Sequence, residues 1–142
     1  MTKAPEPPQE IRTRTSIYTR RDDGIIVQRT LDGSVQSIED ARENVATFPK
    51  LTIAPRHPLL IDMRTAPSLS PGVRDYYARA EVMAPANAIA MLIASTGGRV
   101  LGNLFLALNK PAVPTRLFTS EPEAIAWLLK MDKVLSASTR KG

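Results

Sequence analysis

The order in which apolar runs and amphipathic patterns follow one another constrains the fold of this chain more than any other feature. Two β-rich runs, SIYTR and IIVQRT, flank the turn sequence Asp22-Asp23-Gly24, which is typical of a β-hairpin. After them, four helical patterns alternate with three short apolar runs. This alternation predicts an α/β fold in which an N-terminal β-hairpin is followed by βα units, with a mixed, largely parallel sheet and about four helices against its faces.

Serine residues predict where three of the helices begin. Ser37 precedes an amphipathic pattern that Pro49 is expected to stop. Ser70 is followed by a proline at the first helical position, and Ser120 has Glu123 three residues further on, which is the spacing of a capping box. Between these helices, the runs HPLLIDM and AIAMLIAS are apolar without alternation, so they are predicted to be parallel strands buried on both faces.

Length and composition indicate one domain with loose ends. A chain of 142 residues can bury a core without disulfides or metal ions. Residues 1–15 are predicted to be a disordered proline-rich arm, residues 16–131 the folded domain, and residues 132–142 a flexible basic tail. Because cysteine is absent and no segment resembles a secretory signal or a membrane helix, we expect a cytoplasmic protein.

The net charge of +5 is located outside the predicted folded body. Residues 1–21 carry a net charge of +3 and residues 131–142 a net charge of +2, whereas residues 22–130 contain equal numbers of acidic and basic side chains. Neither a basic helix nor a ladder of exposed aromatic residues is present on which bases could stack. Nucleic-acid binding is therefore not expected.

Three stretches of the sequence carry a resemblance to a known family. They are LLIDMRTAPSLSPGVRDYY, AIAMLIASTGGRVLGNLFLALNKP and TRLFTSEPEAIAWLL. Together with the element order, they resemble the STAS-like domains of bacteria, relatives of the anti-sigma-factor antagonists, and look closest to an uncharacterised bacterial branch of that fold. The resemblance covers residues 16 to about 130. It implies a domain used in protein partner switching, in ligand sensing or as an appendage of larger proteins.

The resemblance also implies a regulatory hydroxyl early in the helix that follows Asp62, where the antagonist proteins are phosphorylated by a kinase that is also their partner. Counting from Asp62 places this position near Gly72, where no hydroxyl exists, and Ser70 and Ser68 are close by. Ser70 therefore has two interpretations. It is an N-cap of the helix, or it is a phosphorylation switch whose phosphate would meet the positive end of the helix dipole.

Polar and glycine residues follow two neighbouring predicted strands, and the carboxyl ends of parallel strands are where open α/β sheets tend to bind ligands. The free backbone amides of a helix that starts after Gly97-Gly98, with arginines close by, would form an anion or nucleotide site. The alternative is a tight turn with solvated arginines. Neither a Walker nor a dinucleotide-binding motif is present. The candidate ligand-binding residues are Asp62, Arg64, Ser95, Gly97, Gly98 and Arg99.

No recognisable catalytic or metal-binding motif is formed by the remaining titratable residues. His57 is the one histidine of the chain and is expected to be a partly exposed loop residue. The pairs Asp22-Asp23 and Glu39-Asp40 are adjacent in sequence rather than opposed across a cleft. No catalytic residue, metal ion or cofactor is therefore predicted.

Aromatic and leucine-rich positions are predicted to build the core. Trp127, Tyr76 and Tyr77 occupy helical positions that point inward. The segment from Leu104 to Leu108 is apolar on more than one face, so it is either deeply buried or forms the surface of a homo-oligomer.

These observations predict a non-enzymatic regulatory domain of STAS-like type that acts in the cytoplasm through a protein partner. The alternative is a small-molecule sensor that binds an anion or nucleotide at the Gly97-Gly98-Arg99 helix start. A third alternative, an enzyme, would need a deep pocket around Asp62, Arg64 and Ser95 that holds a polar group with a perturbed pKa.

Overall fold

The structure, a computed structural model, describes residues 9–31, 33–51, 57–65, 70–79, 86–94 and 113–141. This part of the chain contains six strands and three helices. They are β1 (Glu10–Arg12), β2 (Ser16–Arg20), β3 (Ile26–Thr30), α1 (Ile38–Leu51), β4 (His57–Asp62), α2 (Pro71–Ala78), β5 (Ala86–Leu92), β6 (Thr115–Phe118) and α3 (Glu121–Lys141).

All six strands form one sheet, and their spatial order β1-β2-β3-β4-β5-β6 is also their order in the chain. The pairs β1-β2 and β2-β3 are antiparallel, and the three pairs from β3 to β6 are parallel. The predicted α/β fold with a mixed, largely parallel sheet is confirmed. The predicted helix after Gly97-Gly98 and the segment from Leu104 to Leu108 lie outside the described residues.

The predicted hairpin joins β2 to β3. Gly24 has a φ of +91°, a backbone conformation that glycine adopts without steric cost and that side-chain-bearing residues rarely adopt. The Asp23 carboxylate accepts a hydrogen bond from the backbone N–H of Ile25 at 3.2 Å, and this side-chain contact stabilises the turn. The resulting register pairs Arg20 with Ile26 and Ser16 with Thr30.

The sheet is covered on both faces, because neighbouring residues of a strand point to opposite sides. Leu59 belongs to a core cluster to which α1 contributes Leu51. The next residue, Leu60, belongs to a separate cluster with Ala124 and Leu128 of α3. The helices α1 and α2 therefore lie on one face, where they also contact each other, and α3 lies on the other face, against β4, β5 and β6.

Three predicted boundaries need correction. The arm predicted to be disordered up to residue 15 contains β1, which pairs with β2 because Ile11 packs against the core. The tail predicted to be flexible from residue 132 continues α3 as far as Lys141. Pro49 lies inside α1 rather than ending it, and Leu51 is fully buried two residues later. A proline in the last turn removes one backbone hydrogen bond, and the burial of Leu51 compensates for this loss.

Candidate functional site

The carboxyl ends of β3, β4, β5 and β6 form one edge of the sheet, because these strands are parallel. We call this the carboxyl edge. The helices α1, α2 and α3 follow β3, β4 and β6 in the chain, so all three begin at this edge. Groups from distant parts of the sequence therefore meet there, as is usual for the ligand-binding end of an open α/β sheet.

Asp62 is the last residue of β4 and is 8% exposed. Arg64 binds its carboxylate with both ends of one guanidinium: Nε lies 3.0 Å from Oδ1, and Nη2 lies 2.8 Å from Oδ2. The backbone N–H of Arg64 also donates to Oδ1 at 3.2 Å. The predicted proximity of Asp62 and Arg64 is thus a bidentate ion pair, the strongest geometry for these groups.

Arg29 extends this ion pair to α3. It lies directly opposite Asp62 in the register of β3 and β4, and its Nη1 contacts Asp62 Oδ2. Its Nη2 lies 2.6 Å from Oε1 of Glu121, the first residue of α3. Sequence reasoning missed both Arg29 and Glu121, because strand register brings Arg29 to Asp62 from 33 residues away and helix placement brings Glu121 to Arg29. The signal that was available is an arginine near the end of a strand that neighbours the aspartate-ended strand.

The electrostatics of this ion-pair cluster favour the charged forms of Asp62 and Arg64. Burial of Asp62 raises its pKa, but hydrogen bonds from Arg64 and the charges of Arg64 and Arg29 outweigh burial, so that the pKa lies below its usual value. Asp62 is therefore ionised at neutral pH and is a poor general base. The guanidinium-bearing side chains of Arg29 and Arg64 are 46% and 42% exposed, so both remain accessible from solvent.

The other predicted ligand-binding residues are not among those that the structure describes. They are Ser95, Gly97, Gly98 and Arg99. Of the six candidates, the structure therefore brings together Asp62 and Arg64.

Ser70 occupies the N-cap position of α2, with Pro71 at the first helical position, as the sequence predicts. Its side chain, however, makes no capping hydrogen bond. The predicted N-cap position of Ser70 is therefore confirmed, but the prediction that its hydroxyl caps the helix is wrong. Ser70 is exposed, and the start of α2 lies beside the start of α1, since a Cβ on Gly72 would lie 3.8 Å from Cδ1 of Ile38.

A buried network of uncharged polar side chains lies on the opposite face of the sheet from α3. Asn44 of α1 is fully buried, and Thr13 Oγ1 donates to its Oδ1 at 2.6 Å. Asn44 Nδ2 lies 3.1 to 3.3 Å from Thr15 Oγ1, Gln36 Oε1 and Tyr77 Oη. The network joins the β1-β2 connection to α1 and α2, and no local sequence pattern predicts it.

A charged contact fixes the same connection from outside. Arg14 binds Asp40 of α1 through Nε at 2.7 Å and through Nη2, which also donates to the backbone C=O of Val35 at 2.8 Å. The hydrogen bond from Arg14 holds the pKa of Asp40 well below its usual range. Asp40 also accepts hydrogen bonds from Ser37, so this one carboxylate anchors both the start of α1 and the β1-β2 connection.

His57 is buried, at 3% exposure, as the first residue of β4. The expectation of a partly exposed loop residue is wrong, because β4 begins at His57 itself, the first residue of the HPLLIDM run, and pairs it with Ala86 of β5. Burial disfavours the charged imidazolium and lowers the pKa of His57 to about 4. The side chain is therefore neutral at physiological pH.

Within the described ranges, no three histidine, aspartate or glutamate side chains are arranged so that they could hold a metal ion. None of the helices in those ranges combines the length and the apolar character that crossing a membrane requires. Trp127 of α3 packs against the core, with its ring 5.7 Å from that of Phe118, as its helical spacing predicts.

Comparison with known proteins relates the chain to one solved structure and one family, both of unknown function. No curated protein shows significant similarity to it. A crystal structure of a protein with unknown function from Arthrobacter sp. FB24 is 35% identical, over 78% of this chain and 96% of that chain, with a TM-score of 0.31. The model of a family described as a domain of unknown function, DUF7793, matches residues 18–132, which include part of β2, all of β3 to β6 and the first half of α3. The chain therefore belongs to the DUF7793 family.

Proposed function

We propose that this protein is a non-enzymatic regulatory domain of STAS-like type, which acts in the cytoplasm by binding a protein partner, and that Ser70 is its phosphorylation switch. The observation that most supports this proposal is the state of Ser70. Its hydroxyl is exposed at the start of α2 and makes no capping hydrogen bond, so phosphorylation would cost the helix no existing contact.

The surroundings of Ser70 suit a phosphate. The unpaired backbone N–H groups of a helix start attract negative charge, and phosphorylation adds about −1.5 to −2 charges at pH 7. The start of α1 lies beside the start of α2, so a charge on Ser70 would also change the surface close to α1. A partner that contacts this surface would therefore experience a large local change of charge with little change in the fold.

Affinity capture from a native lysate of the source cells tests this proposal. The baits are the parent protein, Ser70→Ala, Ser70→Asp and, as a charge-matched control, Ala126→Asp on the exposed side of α3. We expect one protein to be recovered equally by the parent, Ser70→Ala and Ala126→Asp. Its recovery by Ser70→Asp should differ by at least about ten-fold, as an increase or as a decrease. Repeated failure to recover any protein, or equal recovery by all four baits, would contradict the proposal.

A second candidate function is a sensor that binds an anion or nucleotide where Gly97, Gly98 and Arg99 are predicted to start a helix. The observation that favours it is the pair of half-exposed guanidiniums, Arg29 and Arg64, at the same edge of the sheet. A ligand that binds the folded state alone raises the melting temperature. We expect ATP or inorganic phosphate at millimolar concentration to do so, and the absence of any shift would exclude this candidate.

A further inference from the structure

One carboxylate of the ion-pair cluster at the carboxyl edge, that of Glu121, comes from a helix and not from the sheet. Arg29 and Arg64 both bind Asp62, and Arg29 also binds Glu121 of α3. The two arginines and two carboxylates balance one another in charge. Guanidinium groups at such a site bind carboxylate and phosphate oxygens by the same geometry. Glu121 therefore occupies a position that an external anion could take.

The two carboxylates differ in how firmly they are held. Asp62 is 8% exposed, is bound by two arginines and also accepts a backbone hydrogen bond. Glu121 has a longer side chain, which is 29% exposed, and contacts the cluster through Arg29. Asp62 thus orients the guanidiniums, whereas Glu121 can rotate into solvent at small cost. Displacement of Glu121 would leave the arginines with one excess positive charge.

The donors that remain point to a multidentate anion. Arg64 uses Nε and Nη2 on Asp62, so its Nη1 takes no part in these contacts. Arg29 uses Nη1 on Asp62 and Nη2 on Glu121, so its Nη2 becomes available when Glu121 leaves. Two guanidiniums held on one carboxylate can together contact more oxygens than a single carboxylate offers, and this favours a phosphate group.

We propose that Arg29 and Arg64 form a phosphate-binding site and that Glu121 is an internal competitor, which closes the site until a phosphate group displaces it. The inference rests on the second candidate function above, and it needs only Arg29, Asp62, Arg64 and Glu121. Occupation of the site would release the first residue of α3 from β3, so phosphate binding would be linked to the way in which α3 begins.

Titration with inorganic phosphate at constant ionic strength tests this inference, with the melting temperature as the readout. The variants are Glu121→Gln and, as a matched control, Glu123→Gln, which removes the same charge from an exposed position in the same helical turn. We expect Glu121→Gln to bind phosphate at least about ten-fold more tightly than the parent, and Glu123→Gln to resemble the parent. Adding Arg29→Lys to Glu121→Gln keeps the charge but loses the forked donor, and should abolish the gain.

The outcomes separate this inference from the sensor function. If the parent responds to ATP or phosphate but Glu121→Gln binds phosphate no more tightly than Glu123→Gln, the sensor function stands. The role of Glu121 as an internal competitor is then refuted. An equal gain in both variants identifies a general effect of net charge and also refutes it. No response in any variant refutes the site itself. Far-UV circular dichroism of each variant establishes that it is folded. A parallel titration with sodium acetate at the same ionic strength distinguishes a phosphate site from a general carboxylate site.

Discussion

At the scale of single residues, the buried polar groups of this domain are stabilised in different ways. Asn44 is fully buried, and its amide lies among hydroxyl and amide partners from three parts of the chain. Asp40 and Asp62 are buried next to arginines, which lower the pKa of both carboxyl groups. His57 is buried in its neutral form, because burial lowers the pKa of its imidazole to about 4. The charged form of His57 is thus disfavoured in the folded state.

The stability of the domain should therefore depend on His57 in weakly acidic solution. In the unfolded chain, His57 takes up a proton near pH 6.5, whereas in the folded protein it does so near pH 4. The unfolded state binds more protons between these values, so the free energy of unfolding should decrease as the pH falls. The shift corresponds to a loss of about 3 kcal/mol between pH 6.5 and pH 4. Urea denaturation at several pH values in this range measures it.

The variant His57→Gln is the control for this prediction, because glutamine does not titrate. Its free energy of unfolding should be nearly constant between pH 6.5 and pH 4. Asp40 and Asp62 contribute little to the slope in this window, since carboxylates with lowered pKa values lose most of their stabilising effect below their unfolded value of 3.8. The same slope in His57→Gln and in the parent would assign the dependence to another group.

At the scale of elements, α1 and α2 begin with a serine but use it differently. Ser37 Oγ accepts a hydrogen bond from the backbone N–H of Asp40 at 3.2 Å, and Asp40 in turn accepts one from the N–H of Ser37 at 2.9 Å. This is a reciprocal capping arrangement, with aspartate in the place of the usual glutamate. Ser70 stands at the equivalent position of α2 without a side-chain capping bond.

Alanine substitutions should separate these two helix starts. Ser37→Ala is expected to lower the free energy of unfolding by about 1 kcal/mol, because it leaves a backbone N–H without its partner. Ser70→Ala should change it by less than about 0.5 kcal/mol. Chemical denaturation of both variants at pH 7 provides the comparison. Equal losses would mean that Ser70 caps α2 in solution.

Sequence patterns predicted those parts of the fold that depend on local signals. The turn at Gly24 and the helix starts at Ser37, Ser70 and Ser120 follow from residues within a few positions of one another. The three-residue strand β1 could not be predicted, because the composition of its segment favours disorder. The segment is ordered by its pairing with β2.

The candidate site divides in the same way. Asp62 and Arg64 are two residues apart, and their proximity was predicted. Arg29 reaches Asp62 through the register of β3 and β4, and Glu121 reaches Arg29 through the position of α3. Neither the register nor the helix position can be read from a single sequence.

At the scale of the whole molecule, one sheet separates two apolar clusters that share β4. Leu59 and Leu60 are adjacent in the chain, and both are almost completely buried, on opposite faces. Because the same backbone carries both side chains, loosening of one cluster must disturb the other. We therefore expect the two faces to unfold together, as is usual for a single domain of this size.

The single tryptophan makes this expectation measurable, since Trp127 packs on the α3 face. Leu59→Ala removes side-chain atoms on the opposite face and should lower the free energy of unfolding by about 3 kcal/mol. The midpoints recorded by Trp127 fluorescence and by far-UV circular dichroism should fall by the same amount. Val134→Ala, at a side chain that is 54% exposed, should leave both unchanged. A fluorescence transition that stays in place while the other moves would show that the faces unfold separately.

The agreement between strand order and chain order has a consequence for biosynthesis. As the chain emerges from the ribosome, each new strand meets an edge that the preceding strand has already formed, so the sheet can grow one strand at a time. The face that carries Leu60, Ala90 and Leu92 is different, because α3 is made after all six strands. Among the described residues, the helix that covers this face is α3, so a nascent chain that has just completed β6 lacks that cover until the residues after Glu121 appear. We expect this interval to be the stage of synthesis at which the chain is most prone to aggregate, because exposed apolar surface favours association.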